Sequence, residues 1–187
     1  MNDAMFRWPV DAEQWLNETL GLINRSRGRE EPLARADEQC QALVKIWHDY
    51  LQCRGQMELG ADRDVPEIMS QGLEKVLDVV FDHPSTRLAV YGTLAPGKEN
   101  ESQLAGIDGT WGSAAVRGTV NRSGRYPEFR WVTDEPLIPI EVFSASELPD
   151  HWDRLDRFEG ARYRRILVPV ISDERWFVCN VYEGVAE

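Results

Sequence analysis

Cysteine and histidine are scarce in this chain of 187 residues, with three of each. Cys40, Cys53 and Cys179 are odd in number and have no CxxC spacing, which argues against a disulfide framework or a zinc site and leaves free, buried or half-buried thiols as the expectation. His48, His83 and His151 are isolated and lack the HxxxH or HExxH spacing of a metal site. They are expected on surfaces and helix flanks, with His83 at a helix-to-strand junction. No apolar run approaches the roughly 20 residues that cross a bilayer, and the opening residues lack a signal peptide's apolar stretch. A cytoplasmic protein is expected.

Positive charge is also short. Lys and Arg number 21 against 32 Asp and Glu, a net charge of −11. The deficit is spread along the chain: nine basic against sixteen acidic residues up to Thr86, and twelve against sixteen after it. Neither part offers the basic footprint that grips phosphate backbones or anionic membranes, so nucleic-acid and membrane partners are not expected. The serine-hydrolase pattern GxSxG is missing. Gly92 and Gly97 have the spacing of a Walker loop and Lys98 follows, but Glu99 stands where Ser or Thr must hold Mg²⁺, which argues against nucleotide hydrolysis.

What remains is the composition of a folded domain, 42% hydrophobic and 28% charged. The chain reads as two parts, a helical extension over residues 1–86 and a strand-rich domain over 87–187. In the first part, Asp11 to Gln14 resembles a capping box, and Trp15, Leu16, Leu20 and Ile23 recur at helical spacing, predicting a helix that ends near Asn24. A second amphipathic helix carries Cys40, Leu43, Val44, Trp47, Tyr50 and Leu51. A third opens at Pro66 and carries Ile68, Met69, Leu73, Val76, Leu77 and Val80. These faces need a partner, either the rest of the chain or a second copy in a homodimer. In the second part, strands are predicted over 87–91, 114–120, 137–143, 165–171 and 176–182. The last two flank Ser172-Asp-Glu-Arg175 as a hairpin, with Pro169 pushing its strand toward an edge or bulge. One short helix, opened by Pro149 and Asp150, stops near Gly160.

That helix carries the strongest candidate for chemistry. Trp152, Leu155 and Glu159 stand at i, i+3 and i+7, which puts Glu159 on the apolar stripe, while Asp153 and Asp156 fall to the side on a solvated face. Desolvation and the negative end of the helix dipole both favour the protonated form, the tuning a general acid/base needs near neutral pH. The alternative is a carboxylate at a frayed helix end, paired with Arg162 or Arg164. The second candidate is the turn that follows the strand at 87–91, Tyr91-Gly-Thr-Leu-Ala-Pro-Gly97. Gly92 permits close backbone approach there, and successive N–H groups in such a turn can form a nest for a carboxylate or an oxyanion. A plain tight turn between core elements is the other reading. Tyr126, Tyr163 and Tyr182 are candidates to line a pocket, with core packing the default and favoured for Tyr182.

Together, Val90-Tyr-Gly-Thr-Leu-Ala-Pro-Gly97 with Asn100, Gly124-Arg-Tyr-Pro127, and Leu155-Asp-Arg-Phe-Glu-Gly160 with Tyr163 and Arg164 resemble, in order, the signatures of the γ-glutamylcyclotransferase-like family. The resemblance implies an α+β fold, a small mixed β-barrel with flanking helices, here with a helical N-terminal extension. It makes Glu159 the catalytic acid/base and gives the backbone of Tyr91, Gly92, Thr93 and Leu94 the task of holding substrate, with Tyr126 and Tyr163 beside it. The reaction it implies is cofactor-free and metal-free cyclisation of a γ-glutamyl amine or peptide to 5-oxoproline. Three departures stand out: Ala95 where many relatives have a basic residue, Glu128 where a small apolar residue is usual, and a helical segment before His83 that has no counterpart in the minimal domain. The alternative from another class is a non-catalytic small-molecule-binding or protein-interaction module of the same fold.

Overall fold

The computed structural model describes residues 12–27 and 73–185. They fall into two units that divide between Asp82 and His83. In the first, α1 (Ala12–Arg27) buries Leu16, Leu20 and Ile23 completely, an i, i+4, i+7 stripe. It runs past the expected stop at Asn24, which is itself buried, because no glycine or proline intervenes before Gly28. In α2 (Leu73–Val80), Val76, Leu77 and Val80 are buried as their spacing requires. The stripe continues through Phe81, whose ring centroid lies 6.0 Å from that of Trp15. The capping residue Asp11, the expected helix over 40–51 and the opening at Pro66 lie outside the described residues.

The second unit is a closed barrel. Its strands are β1 (Arg87–Val90), β2 (Thr110–Arg117), β5 (Leu137–Ser144), β6 (Tyr163–Ser172) and β7 (Arg175–Gly184), in the order β1-β5-β2-β6-β7. Closure comes from a parallel contact of β1 with β7, Leu88↔Asn180 and Ala89↔Val181, while the other barrel pairs are antiparallel. The mixed barrel with helices is the α+β architecture expected from the sequence. Closure leaves none of its five strands as an open edge. Outside the barrel, β3 (Thr119–Asn121) and β4 (Glu128–Arg130) form a two-stranded ribbon.

Two strand expectations need correction. The single strand over 114–120 is two, and the first begins at Thr110. They are divided at Gly118, whose φ of 146° suits only glycine and where a Cβ would collide with the Arg130 carbonyl oxygen and the Phe129 ring. That corner takes the chain out of the barrel and into the ribbon. The other correction is β4, which has no counterpart among the expected strands: Glu128-Phe-Arg130 is too short to show a period. Pro169 lies inside β6, and the β2–β6 pairing stops one residue away, at Val116↔Val170. A residue with no N–H fits where a ladder ends.

Strand alternation divides the apolar residues between two cores. Ala89, Val142, Val116, Val168 and Val181, one from each barrel strand, meet inside the barrel. Leu88 and Val90 point the other way and pack with Leu148, Trp152 and Leu155 of α3 (Leu148–Glu159). The Trp152 indole N–H donates to the Ser85 carbonyl at 3.0 Å, fixing the helix to the segment that enters β1. His83 contributes at that entry through its backbone: φ is 59°, and its carbonyl accepts from the Thr86 N–H at 3.1 Å and hydroxyl at 2.8 Å.

The hairpin expected between β6 and β7 forms with a two-residue loop, and both loop residues are left-handed, Asp173 at φ 48° and Glu174 at φ 61°. Such a loop favours Asn-Gly over Asp-Glu. Replacing Asp173-Glu174 by Asn-Gly should raise unfolding free energy by about 1 kcal/mol, read by chemical denaturation. An unchanged or lower midpoint would contradict the assigned loop conformation.

Candidate functional site

Helix α3 ends on Glu159, and Gly160 then turns the chain with φ 65° and ψ −163°, a conformation reserved for glycine. The carboxyl group is therefore delivered at the very end of a helix whose apolar stripe is pinned in the core. It enters a cavity of about 310 Å³ in the second unit. Tyr91, Gly92, Thr93, Leu94, Tyr126 and Tyr163 line the same cavity, so the residues that the family resemblance assigns to the site meet there. Phe158, Arg162 and Tyr182 join them.

Glu159 is half-buried, and among the described residues it has neither an ion pair nor a hydrogen bond. Arg164, one of its two anticipated partners, is taken: its Nε and Nη2 both donate to Oε2 of the buried Glu183, at 3.0 and 2.8 Å. Arg162 lines the cavity and is exposed, with no ion pair to Glu159. Burial without a counter-charge raises the Glu159 pKa from 4.5 to about 7, and the neighbouring Asp156 carboxylate adds to the rise.

Asp156 adds partners that the sequence did not foretell. Asp153 is exposed as helical spacing suggests, and the Asp156 side chain keeps 40% of its surface exposed while its carboxylate is held by partners. Arg165 holds its carboxylate with two bonds, Nε to Oδ1 at 2.9 Å and Nη2 to Oδ2 at 3.1 Å. The same guanidinium donates to Asn180 Oδ1 at 3.2 Å and stacks over the Trp152 ring, 4.4 Å from its centroid. The Tyr182 hydroxyl donates to Asp156 Oδ1 at 2.7 Å. A chain of polar contacts thus runs from the outer face of β7 to the acid three residues before Glu159. The spacing of α3 alone missed it, but the hairpin carried the signal: with a two-residue loop at 173–174, the register places Arg165 opposite Tyr182 and Arg164 opposite Glu183.

Facing the acid is the turn after β1. Its carbonyls are occupied, Gly92 accepting from the Ala95 N–H at 3.2 Å and Thr93 from the Asn100 N–H at 2.9 Å. The N–H groups of Gly92, Thr93 and Leu94 have no acceptor among the described residues. That imbalance is what a backbone anion site requires. Asn100 Nδ2 braces the turn by donating to Thr93 Oγ1 at 2.9 Å, and the buried Leu94 side chain anchors it in the core under α3. Gly92 lies against Pro127, where a Cβ would stand 3.0 Å from Cγ, which accounts for glycine at this point.

The tyrosines act as fixed neutral walls. Tyr91 donates to the Tyr182 carbonyl at 2.8 Å and Tyr163 to the Pro127 carbonyl at 3.1 Å. Burial pushes the pKa of Tyr91, Tyr163 and Tyr182 upward, and for Tyr182 the hydrogen bond to Asp156 adds to it. Tyr182, expected as core, is both core and wall. Among the described residues no group of three or more His, Cys, Asp or Glu is placed to hold a metal ion. None of the described helices is long and apolar enough to cross a membrane.

One cavity of the barrel unit thus carries an unpaired half-buried acid on one wall and free backbone amides on another. The chain belongs to the family described as gamma-glutamyl cyclotransferase, AIG2-like, whose profile matches residues 88–185. Among solved structures it is similar to YkqA from Bacillus subtilis at 29% identity, over 53% of this chain and 35% of that one, with a TM-score of 0.44. The match therefore spans about a third of the YkqA chain. It is similar to a Pyrococcus horikoshii protein at 24% identity, over 55% of this chain and 80% of that one, with a TM-score of 0.43. An AIG2-like protein from Mus musculus follows at 19% identity, over 55% and 78% of the two chains, with a TM-score of 0.45. No curated protein matches the chain.

The raised pKa of Glu159 has a consequence for stability. A carboxyl group whose folded pKa lies near 7 and whose ordinary value is 4.5 favours the folded state while protonated. Its contribution is complete below about pH 4.5 and is lost as pH climbs through 7. Glu159→Gln, which mimics the protonated form, should therefore be more stable than the parent at pH 8, by up to about 3 kcal/mol. The two should converge near pH 4.5. Equal melting curves at both pH values would place the carboxylate in water.

Proposed function

We propose that the protein is a cofactor-free cyclotransferase that converts a γ-glutamyl amine or peptide to 5-oxoproline and the free amine. The observation that carries this reading is the pairing, in one cavity, of Glu159 without an ion partner and the 91–94 turn with unclaimed N–H groups. Membership of the gamma-glutamyl cyclotransferase, AIG2-like family supports it.

In this mechanism the substrate's α-amino nitrogen attacks its own γ-carbonyl carbon. The new C–N bond closes a five-membered ring, and the bond to the leaving nitrogen breaks. Both reacting groups belong to one molecule, so the protein's contribution to proximity is to hold the folded conformer. Glu159, as carboxylate, takes the proton released by the attacking amine and returns it to the leaving nitrogen, so it ends the cycle unchanged. The amides of Gly92, Thr93 and Leu94 are the donors available to the oxyanion that develops between these steps. A pKa of about 7 suits a group that must both accept and give back a proton at neutral pH. Tyr126 and Tyr163 shape the walls around the γ-glutamyl group.

Incubation with a panel of γ-glutamyl amines and peptides should release 5-oxoproline, measured by chromatography. Glu159→Gln should slow release by about 10²–10⁴-fold. For the parent, kcat/KM should rise with pH up to about 7 as Glu159 becomes the base. Equal rates for parent and variant would remove Glu159 from the mechanism. Ligand-induced stabilisation without turnover would favour a binding module instead.

A further inference from the structure

Among the described residues that line the cavity, Glu159 is the one acid and Arg162 the one cation. They stand three positions apart, with the Gly160 turn between them, and they are not paired with each other. The Arg162 backbone is fixed, its carbonyl accepting from the Val185 N–H at 2.8 Å. Its guanidinium has neither a hydrogen bond nor an ion pair among the described residues. Arginines close by in the chain are committed: Arg164 to Glu183, Arg165 to Asp156, and Arg154 to the Gln103 carbonyl at 2.8 Å. The Arg162 charge is felt on the cavity wall, since burial raises the pKa of the Tyr163 hydroxyl and Arg162 works against that rise. An unpaired acid and an unpaired cation in one small cavity match a ligand that carries both charges.

We infer that Arg162 is a specificity-determining residue that holds the α-carboxylate of the γ-glutamyl group. The inference rests on the cyclotransferase reading of this cavity. In that reading the attacking α-amine must reach Glu159, and the γ-carbonyl oxygen must reach the amides of the 91–94 turn. The α-carboxylate is bonded to the carbon that bears the amine, so it lies on the Glu159 side of the cavity. Arg162 leaves the same helix end and is the cation on that side. Its planar fork can bond both carboxylate oxygens, and charge-assisted bonds of this kind are among the stronger polar contacts. A separate cation also settles a conflict of charges. The carboxylate and the developing oxyanion would otherwise compete for one set of amides, and with Arg162 on the first the turn is left for the second. The carboxylate takes no part in ring closure and is the same in substrate and product. Its contact therefore contributes to binding throughout and is read in KM more than in kcat.

The test compares γ-glutamylethylamide with 4-amino-N-ethylbutanamide, which lacks only the α-carboxylate and closes to 2-pyrrolidinone instead of 5-oxoproline. Both release ethylamine through the same acid and the same turn, so any effect of a substitution on Glu159 or on the fold cancels in the ratio of their kcat/KM values. The parent should favour γ-glutamylethylamide by about tenfold, through KM. Arg162→Gln should bring the ratio near one, and Arg162→Lys should restore part of it. The position is exposed, so the variants should fold, and a melting curve checks it. A parent without preference, or a preference that survives Arg162→Gln because the turn amides hold the carboxylate, overturns the inference. Calorimetric titration of the Glu159→Gln protein with γ-glutamylethylamide, with and without Arg162→Gln, separates the two ideas. Ethylamine release with a ratio that Arg162→Gln leaves unmoved keeps the cyclotransferase and removes the role of Arg162. Binding that Arg162→Gln abolishes, with no turnover by the parent, keeps the carboxylate site and removes the chemistry. Absence of both binding and turnover overturns the two together.

Discussion

A carboxyl group drawn partly out of water with no cation beside it is the constraint on which this site depends. Three acids of the barrel unit, on α3 and β7, are treated differently. Glu183 is buried and held by Arg164, with its other oxygen accepting from the Trp131 N–H at 2.9 Å. Asp156 is held by Arg165 and Tyr182. Glu159 has no such partner. Arg164 and Arg165 are engaged elsewhere and Arg162, on the same cavity wall, makes no ion pair with Glu159, so burial raises its pKa and the Asp156 carboxylate three residues away adds to the rise.

The fold makes this arrangement possible by fixing both walls from the same core. Leu155 of α3 and Leu94 of the turn pack in one apolar cluster with Leu88 and Val90, so the helix end and the amide-rich turn are not independent. Beyond them, Tyr91 reaches across to the carbonyl of Tyr182, whose own hydroxyl reaches Asp156. Hydrogen bonds within the barrel unit fix Tyr91, Thr93 and Tyr163 in the cavity wall, the support a preorganised site needs.

Much of this was legible in the residues. The inward position of Glu159 follows from helical period, the turn from a glycine after an apolar strand, and the last hairpin from its central polar residues. Their common membership of one cavity followed from the family signatures and not from spacing. Other features were hidden for definite reasons. Gly118 splits a strand because of a close backbone approach from Arg130, a residue twelve positions away whose place depends on the ribbon itself. Phe81 extends an apolar stripe that composition alone had ended one residue earlier. Asp156 is held by Arg165 and Tyr182, which arrive from two strands, a tertiary effect that no period within α3 contains. Register was the missing step, since counting outward from the two-residue loop already aligns those strands.

The central claim is tested most directly by titrating the Glu159 side-chain carboxyl itself. Carbon-detected NMR of protein labelled at glutamate, with Glu159→Gln to assign the resonance, gives its midpoint without reference to any substrate. The account predicts a midpoint near 7, well above that of an ordinary glutamate. A midpoint between about 4 and 5, the range of a solvated carboxylate, would contradict it.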